Sequence, residues 1–152
     1  MRLPCTTLGT MNIDTAARIH SPTVVGEKLY YVVSNANGAE SLAGVSTDLT
    51  HINNLTDVAG TLYFTADDGI DGLDLWKYEP DAYDVTLIHD FHGSLDNSIL
   101  TNFTAVGTAL CFVVTAGFGG SSLWKSDGTD TGTFEVTSLE NGNGLAFFDL
   151  CD

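Results

Sequence analysis

The chain has 152 residues, 43% of them apolar and 16% charged, with twenty acidic residues against five basic ones and a formal net charge of -15. That length suits one domain, and the apolar share excludes a disordered chain. The acidic surplus excludes nucleic acid and anionic lipid as partners and favours cations, basic proteins or solubility in an extracellular medium.

The N-terminal stretch MRLPCTTLGTMNID has one Arg and no apolar h-region, so it does not read as a secretory signal. The expectation is a cytosolic chain, or one whose preceding segment is removed or lies on a longer parent. Residues 1–22 read as an N-terminal extension. Cys5, Cys111 and Cys151 are an odd set without CxxC spacing, which signals neither zinc nor a disulfide framework. Cys5 and Cys151 lie near the two ends and would form a disulfide if the termini meet. Cys111 lies in an apolar strand and reads as core.

From residue 23 the chain repeats itself. LTDVAGTLYFTADDGIDGLDLWK, from Leu55 to Lys77, lies without a gap on FTAVGTALCFVVTAGFGGSSLWK, from Phe103 to Lys125, at an offset of 48. Val58 meets Val106, Leu62 meets Leu110, Phe64 meets Phe112, and the Leu-Trp-Lys triplets coincide. A worn copy begins at VVGEKLYYVVSNANG, where Val25, Leu29, Tyr31 and Leu42 stand 33 residues before Val58, Leu62, Phe64 and Leu75. These spans divide the chain into a degenerate repeat (23–53), a second repeat (54–101) and a third (102–142). NGLAFFDL, within residues 143–152, reads as a partial repeat or closing strand.

Each copy alternates with period two, which makes it β. Leu62, Phe64 and Ala66 share one face and Tyr63 and Thr65 the other. In the third copy both faces are apolar, as in a sheet covered on both sides. Clusters such as NANG, DDGIDG and AGFGG read as hairpin connections. Four strands are predicted in the second copy, over 54–58, 61–66, 73–78 and 85–90. Four more are predicted in the third, over 102–106, 109–115, 122–126 and 134–139. The longest apolar run, Ala109 to Val114, is far short of the ~20 residues a membrane helix needs, so no membrane insertion is expected.

Repeats of ~40–50 residues with four strands suggest propeller blades. The expected fold is therefore all-β: a β-propeller-like array of about three antiparallel four-stranded blades, incomplete or completed by assembly. Closed propellers use about 4–8 blades, and a short stack would leave sheet faces and edges bare.

VAGTLYFTADDG, at Val58–Gly69, and LWKSDGT, at Leu123–Thr129, resemble the two parts of the bacterial ELWxxDGT repeat. The likeness covers roughly residues 23 to 140. It departs at Ser122, where Glu is usual, and in the second copy, which reads LWKYEPDA and lacks the DGT turn. The resemblance implies a β-propeller-like module of large exported proteins, with no established catalytic residues to carry over.

Candidate sites are few. Asp67, Asp68, Asp71 and Asp74 are the best oxygen ligands for calcium, the one cofactor considered, although they lack the order of an EF-hand loop. Ser126–Asp130 could also ligate an ion. The same residues suit a tight corner, and their equivalents Tyr78–Ala82 do not keep the pattern. His89 and His92 resemble a metal pair, but residues three apart on a strand face opposite sides. Asn54-Leu55-Thr56 and Asn102-Phe103-Thr104 are possible glycosylation sequons at matching positions, where the repeat itself calls for a polar residue followed by Leu/Phe-Thr. Trp76 and Trp124 read as inter-blade packing before sugar platforms. No nucleophile elbow occurs, and nothing selects a carboxylate pair.

The expected function is that of a non-catalytic structural or interaction module of an exported or cell-surface protein. Scaffolding, adhesion or self-assembly would be its work, and other protein chains or copies of itself its partners. The rival reading is a carbohydrate-binding or glycosidase-like propeller with a glycan ligand.

Overall fold

The computed structural model describes residues 17–70, 72–91, 98–116 and 120–139. These residues form strands in three antiparallel sheets, and they contain no helix. The first sheet holds β1 (Arg18–Val25), β2 (Lys28–Ser34) and β3 (Glu40–Leu42). The second holds β4 (Thr50–Val58), β5 (Thr61–Asp67), β6 (Leu73–Glu79) and β7 (Asp84–His89). The third holds β8 (Ile99–Val106), β9 (Ala109–Thr115), β10 (Ser121–Ser126) and β11 (Phe134–Leu139). Strands pair in chain order within each sheet, so every sheet is a meander.

The first sheet corrects the expectation of four strands in every unit: it has three, and β3 is three residues long. The cause is spacing. Only residues 43–49 separate β3 from β4, too few for another strand and two connections. Ala43 adds one more backbone bond to Tyr31, and Val45 then turns back onto the Leu42 carbonyl.

Strands also begin earlier than the repeat boundaries drawn from sequence, which fall inside β1, β4 and β8. A bulge in each of these strands hides the early part. Ser21, Asn54 and Asn102 all adopt left-handed backbone, with φ of 53°, 57° and 57°. The pairing register shifts across each of them. One extra residue in a strand breaks the period-two pattern and leaves the part before it unreadable. The Thr two residues on closes the bulge: Thr56 Oγ1 donates to the Asn54 carbonyl at 2.9 Å and Thr104 Oγ1 to the Asn102 carbonyl at 3.1 Å.

Two apolar cores lie between the sheets. Val25, Tyr30, Val32 and Leu42 of the first sheet meet Ile52, Leu62, Phe64 and Ala66 of the second. On the other side of the second sheet, Val58, Tyr63, Leu75 and Ile88 meet Leu100, Leu110, Phe112 and Val114 of the third. Alternation along β5 divides its side chains between the two cores, which covers the second sheet on both faces. Each fully buried Leu or Phe contributes about 1.5–3 kcal/mol. The first strands, β1, β4 and β8, lie side by side through the stack. Among the described residues, every buried side-chain nitrogen and oxygen has a hydrogen-bond partner.

Candidate functional site

The corner that follows β10 carries the most distinctive motif, with Ser126 and Thr133 buried and Asp127, Thr129 and Asp130 exposed. Ser126 is fully buried. Thr133 Oγ1 donates to the Thr129 carbonyl at 2.7 Å, so the 2.7 Å bond between the two hydroxyls is donated by Ser126. Gly128 N–H donates to Ser126 Oγ at 3.1 Å. Thr129 donates to Asp127 Oδ1 through both its backbone N–H, at 3.0 Å, and its hydroxyl, at 2.7 Å. Gly132 N–H then donates to Thr129 Oγ1 at 3.0 Å. The Thr129 hydroxyl, followed by the Thr129 backbone N–H, holds the Asp127 carboxyl below its ordinary pKa. Glycine is needed twice. Gly128 has φ of 92°, and a Cβ on Gly132 would collide with the Asp127 carboxylate.

This corner is seated on the second sheet. A Cβ on Gly128 would come within 2.5 Å of the Tyr63 hydroxyl oxygen and against the Lys77 chain. Burial raises the Tyr63 pKa, and the negative charges of Asp127 and Glu79 raise it further. At the rim, His89 Nδ1 donates to Asp130 Oδ1 at 2.7 Å, while its ring packs edge-on to Phe91 and tilted over Trp124.

The second sheet repeats the arrangement with other residues. Tyr30 stands 33 positions before Tyr63. It packs edge-on against Tyr78, with ring centroids 5.7 Å apart. Burial raises its pKa, and Tyr78, Tyr83 and Asp81 of the next corner add to the shift. Lys28 Nζ stands 5.5 Å from the centre of the Tyr83 ring. A buried tyrosine thus receives the acidic corner of the following sheet in both cases. The sequence held this only as a Tyr at matching places in YYVV and LYFT; nothing local linked either to a corner far along the chain, Tyr30 to Asp81 or Tyr63 to Gly128.

Two of the calcium candidates, Asp67 and Asp68, serve as turn acceptors, and Asp74 holds the backbone just past β7. Asp67 Oδ1 accepts from Gly69 N–H at 2.6 Å, Asp68 Oδ1 from Ile70 N–H at 2.9 Å, and Asp74 Oδ1 from Phe91 N–H at 3.0 Å. Asp74 is buried and Asp68 exposed. Asp71 lies outside the described residues, as do His92, Cys5 and Cys151. Among the described residues, no three His, Cys, Asp or Glu side chains gather as a metal would require.

The two sequons differ despite sharing a backbone conformation. Asn54 Nδ2 donates to Thr65 Oγ1 at 3.2 Å and to the Leu100 carbonyl of the third sheet at 3.0 Å. Asn102 is exposed. Trp76 and Trp124 are both half-buried against the core that faces the preceding sheet. Their indole N–H groups donate to the Ala66 carbonyl and to Ser122 Oγ. Cys111 is a buried free thiol whose pKa burial raises. No protein-family model, curated protein or solved structure matches the chain.

Proposed function

We propose that the chain is a non-catalytic β-propeller-like repeat module, of the kind the ELWxxDGT resemblance implies, in an exported or cell-surface protein. Its work is scaffolding or adhesion through its sheet faces, with protein chains as partners. The observation that carries this reading is the use made of the signature corner. Ser126, Asp127, Thr129 and Thr133 hydrogen-bond to one another, while Gly128 packs on Tyr63 and Asp130 binds His89. A catalytic or ligand-binding loop keeps polar groups aimed at its substrate; this one spends most of them on its own turn and one, Asp130, on the neighbouring sheet. The half-buried tryptophans likewise lie in the inter-sheet cores, which speaks for packing over sugar stacking.

Light scattering over a wide concentration range tests the reading. Growth of the mass above that of one chain is expected. A single-chain mass at high concentration, or hydrolysis or tight binding of common glycans, would contradict it.

A further inference from the structure

The two ends of the sheet stack show faces that, inside the chain, are always covered. Ile52, Leu62, Phe64 and Ala66 of the second sheet are fully buried, and so are Leu110, Phe112 and Val114 of the third, apart from a trace at Val114. The matching positions of the first sheet are Ile19, Leu29, Tyr31 and Val33. Register confirms the match: Ile19 pairs with Val33 as Leu100 pairs with Val114, and Val24 pairs with Leu29 as Ala105 pairs with Leu110. Yet Ile19 is 56% exposed and Leu29 57%, while Tyr31 and Val33 are half-buried. The third sheet has the opposite condition. Val58, Tyr63, Leu75 and Ile88 of the second sheet are buried against the third. Of their counterparts, Cys111 is buried and Val106, Leu123 and Val136 are half-buried, and no other sheet among the described residues lies on that side.

We infer that the exposed apolar face of the first sheet, around Ile19 and Leu29, docks on the half-buried face of the third sheet, around Val113 and Leu123, of a second copy of this chain. The two interfaces inside the chain say what each face packs against, since the pair of surfaces offered at the ends is the pair already joined twice. The contact is heterologous: one face on one protomer meets a different face on its partner. Two copies joined at both ends bring six sheets together, within the about 4–8 that closed propellers use. This inference rests on the association proposed above and specifies its surfaces. A charge of -15 on each chain opposes the contact, so added salt strengthens it by screening.

Sedimentation of face variants is the test. Leu29→Asp lies outside both cores, and Val113→Asp alters only the opposite end; Val24→Lys and Val136→Lys are second choices at each face should either fail to fold by circular dichroism. Each variant alone is expected at single-chain mass. An equal mixture of a first-sheet and a third-sheet variant is expected to recover the two-chain mass, because one intact pair of faces remains, with affinity at least tenfold below wild type. Wild-type association with variants that still assemble alone, or with a mixture that stays single, overturns the assigned faces and leaves the interaction reading standing. A wild-type chain that never associates overturns both.

Discussion

Phe112 and Trp124 are direct cross-strand partners whose ring centroids lie 6.5 Å apart at 30°, and Phe64 and Trp76 occupy the same register one sheet earlier. Both pairs face the core shared with the preceding sheet. Phe112→Ala should therefore destabilise by about 3–5 kcal/mol, the range for deleting a buried ring. Trp124→Phe keeps an aromatic group in register and should cost less. Urea unfolding of the two variants checks the order; equal losses would contradict it.

The bulge residues should respond unequally to the same change. Asn54→Gly relieves left-handed backbone but loses the bonds to Thr65 and Leu100, at roughly 0.5–1.5 kcal/mol each. Asn102 has the same φ of 57° and an exposed side chain, so Asn102→Gly should stay within about 0.5 kcal/mol of wild type. Thermal melts decide. By the same reasoning, a glycan on Asn102 should be tolerated where one on Asn54 would break the link between sheets.

Gly132→Ala should open the signature corner, because the new methyl falls on the Asp127 carboxylate. Displacing that carboxylate removes the Thr129 donors, so the Asp127 pKa should rise toward its ordinary value. A carboxyl-detected NMR titration reads this directly; an unchanged Asp127 would show that the corner bends elsewhere.

Asp127 also sets an acid dependence. Its folded pKa lies below that of an unfolded Asp, ~3.9, because the Thr129 hydroxyl and backbone N–H favour the carboxylate. Its contribution is thus fully present above that unfolded value and is lost as pH falls through the lower folded one. Asp127→Asn should be less stable than wild type at neutral pH, with the gap narrowing in acid. Unfolding by urea at several pH values measures the gap, and a gap that widens in acid would contradict the assignment.

How much of this was legible depended on distance along the chain. β5, β6, β9 and β10 could be read because Leu62, Phe64, Leu110 and Phe112 alternate cleanly between glycine turns. β3 could not, since Glu40–Leu42 is too short to show a period. The early parts of β4 and β8 were hidden by the bulges at Asn54 and Asn102, whose Asn-x-Thr pattern also reads as a sequon. The corner's glycines and aspartates were visible as turn chemistry. Its seat on Tyr63 and its bond to His89 were not, because those partners are tertiary. The middle sheet is the one covered on both faces, whereas the apolar double face of the third sheet had suggested that position for it.

The three sheets stack side by side, with one apolar core between the first and second and another between the second and third. Nuclear Overhauser contacts between aromatic rings in selectively labelled protein test this stacking most directly. Contacts are expected from Tyr30 to Tyr78 across the first interface and from Phe91 to Trp124 across the second, where centroids lie 5.7 Å and 5.1 Å apart. Absence of either in a folded sample would contradict the stack.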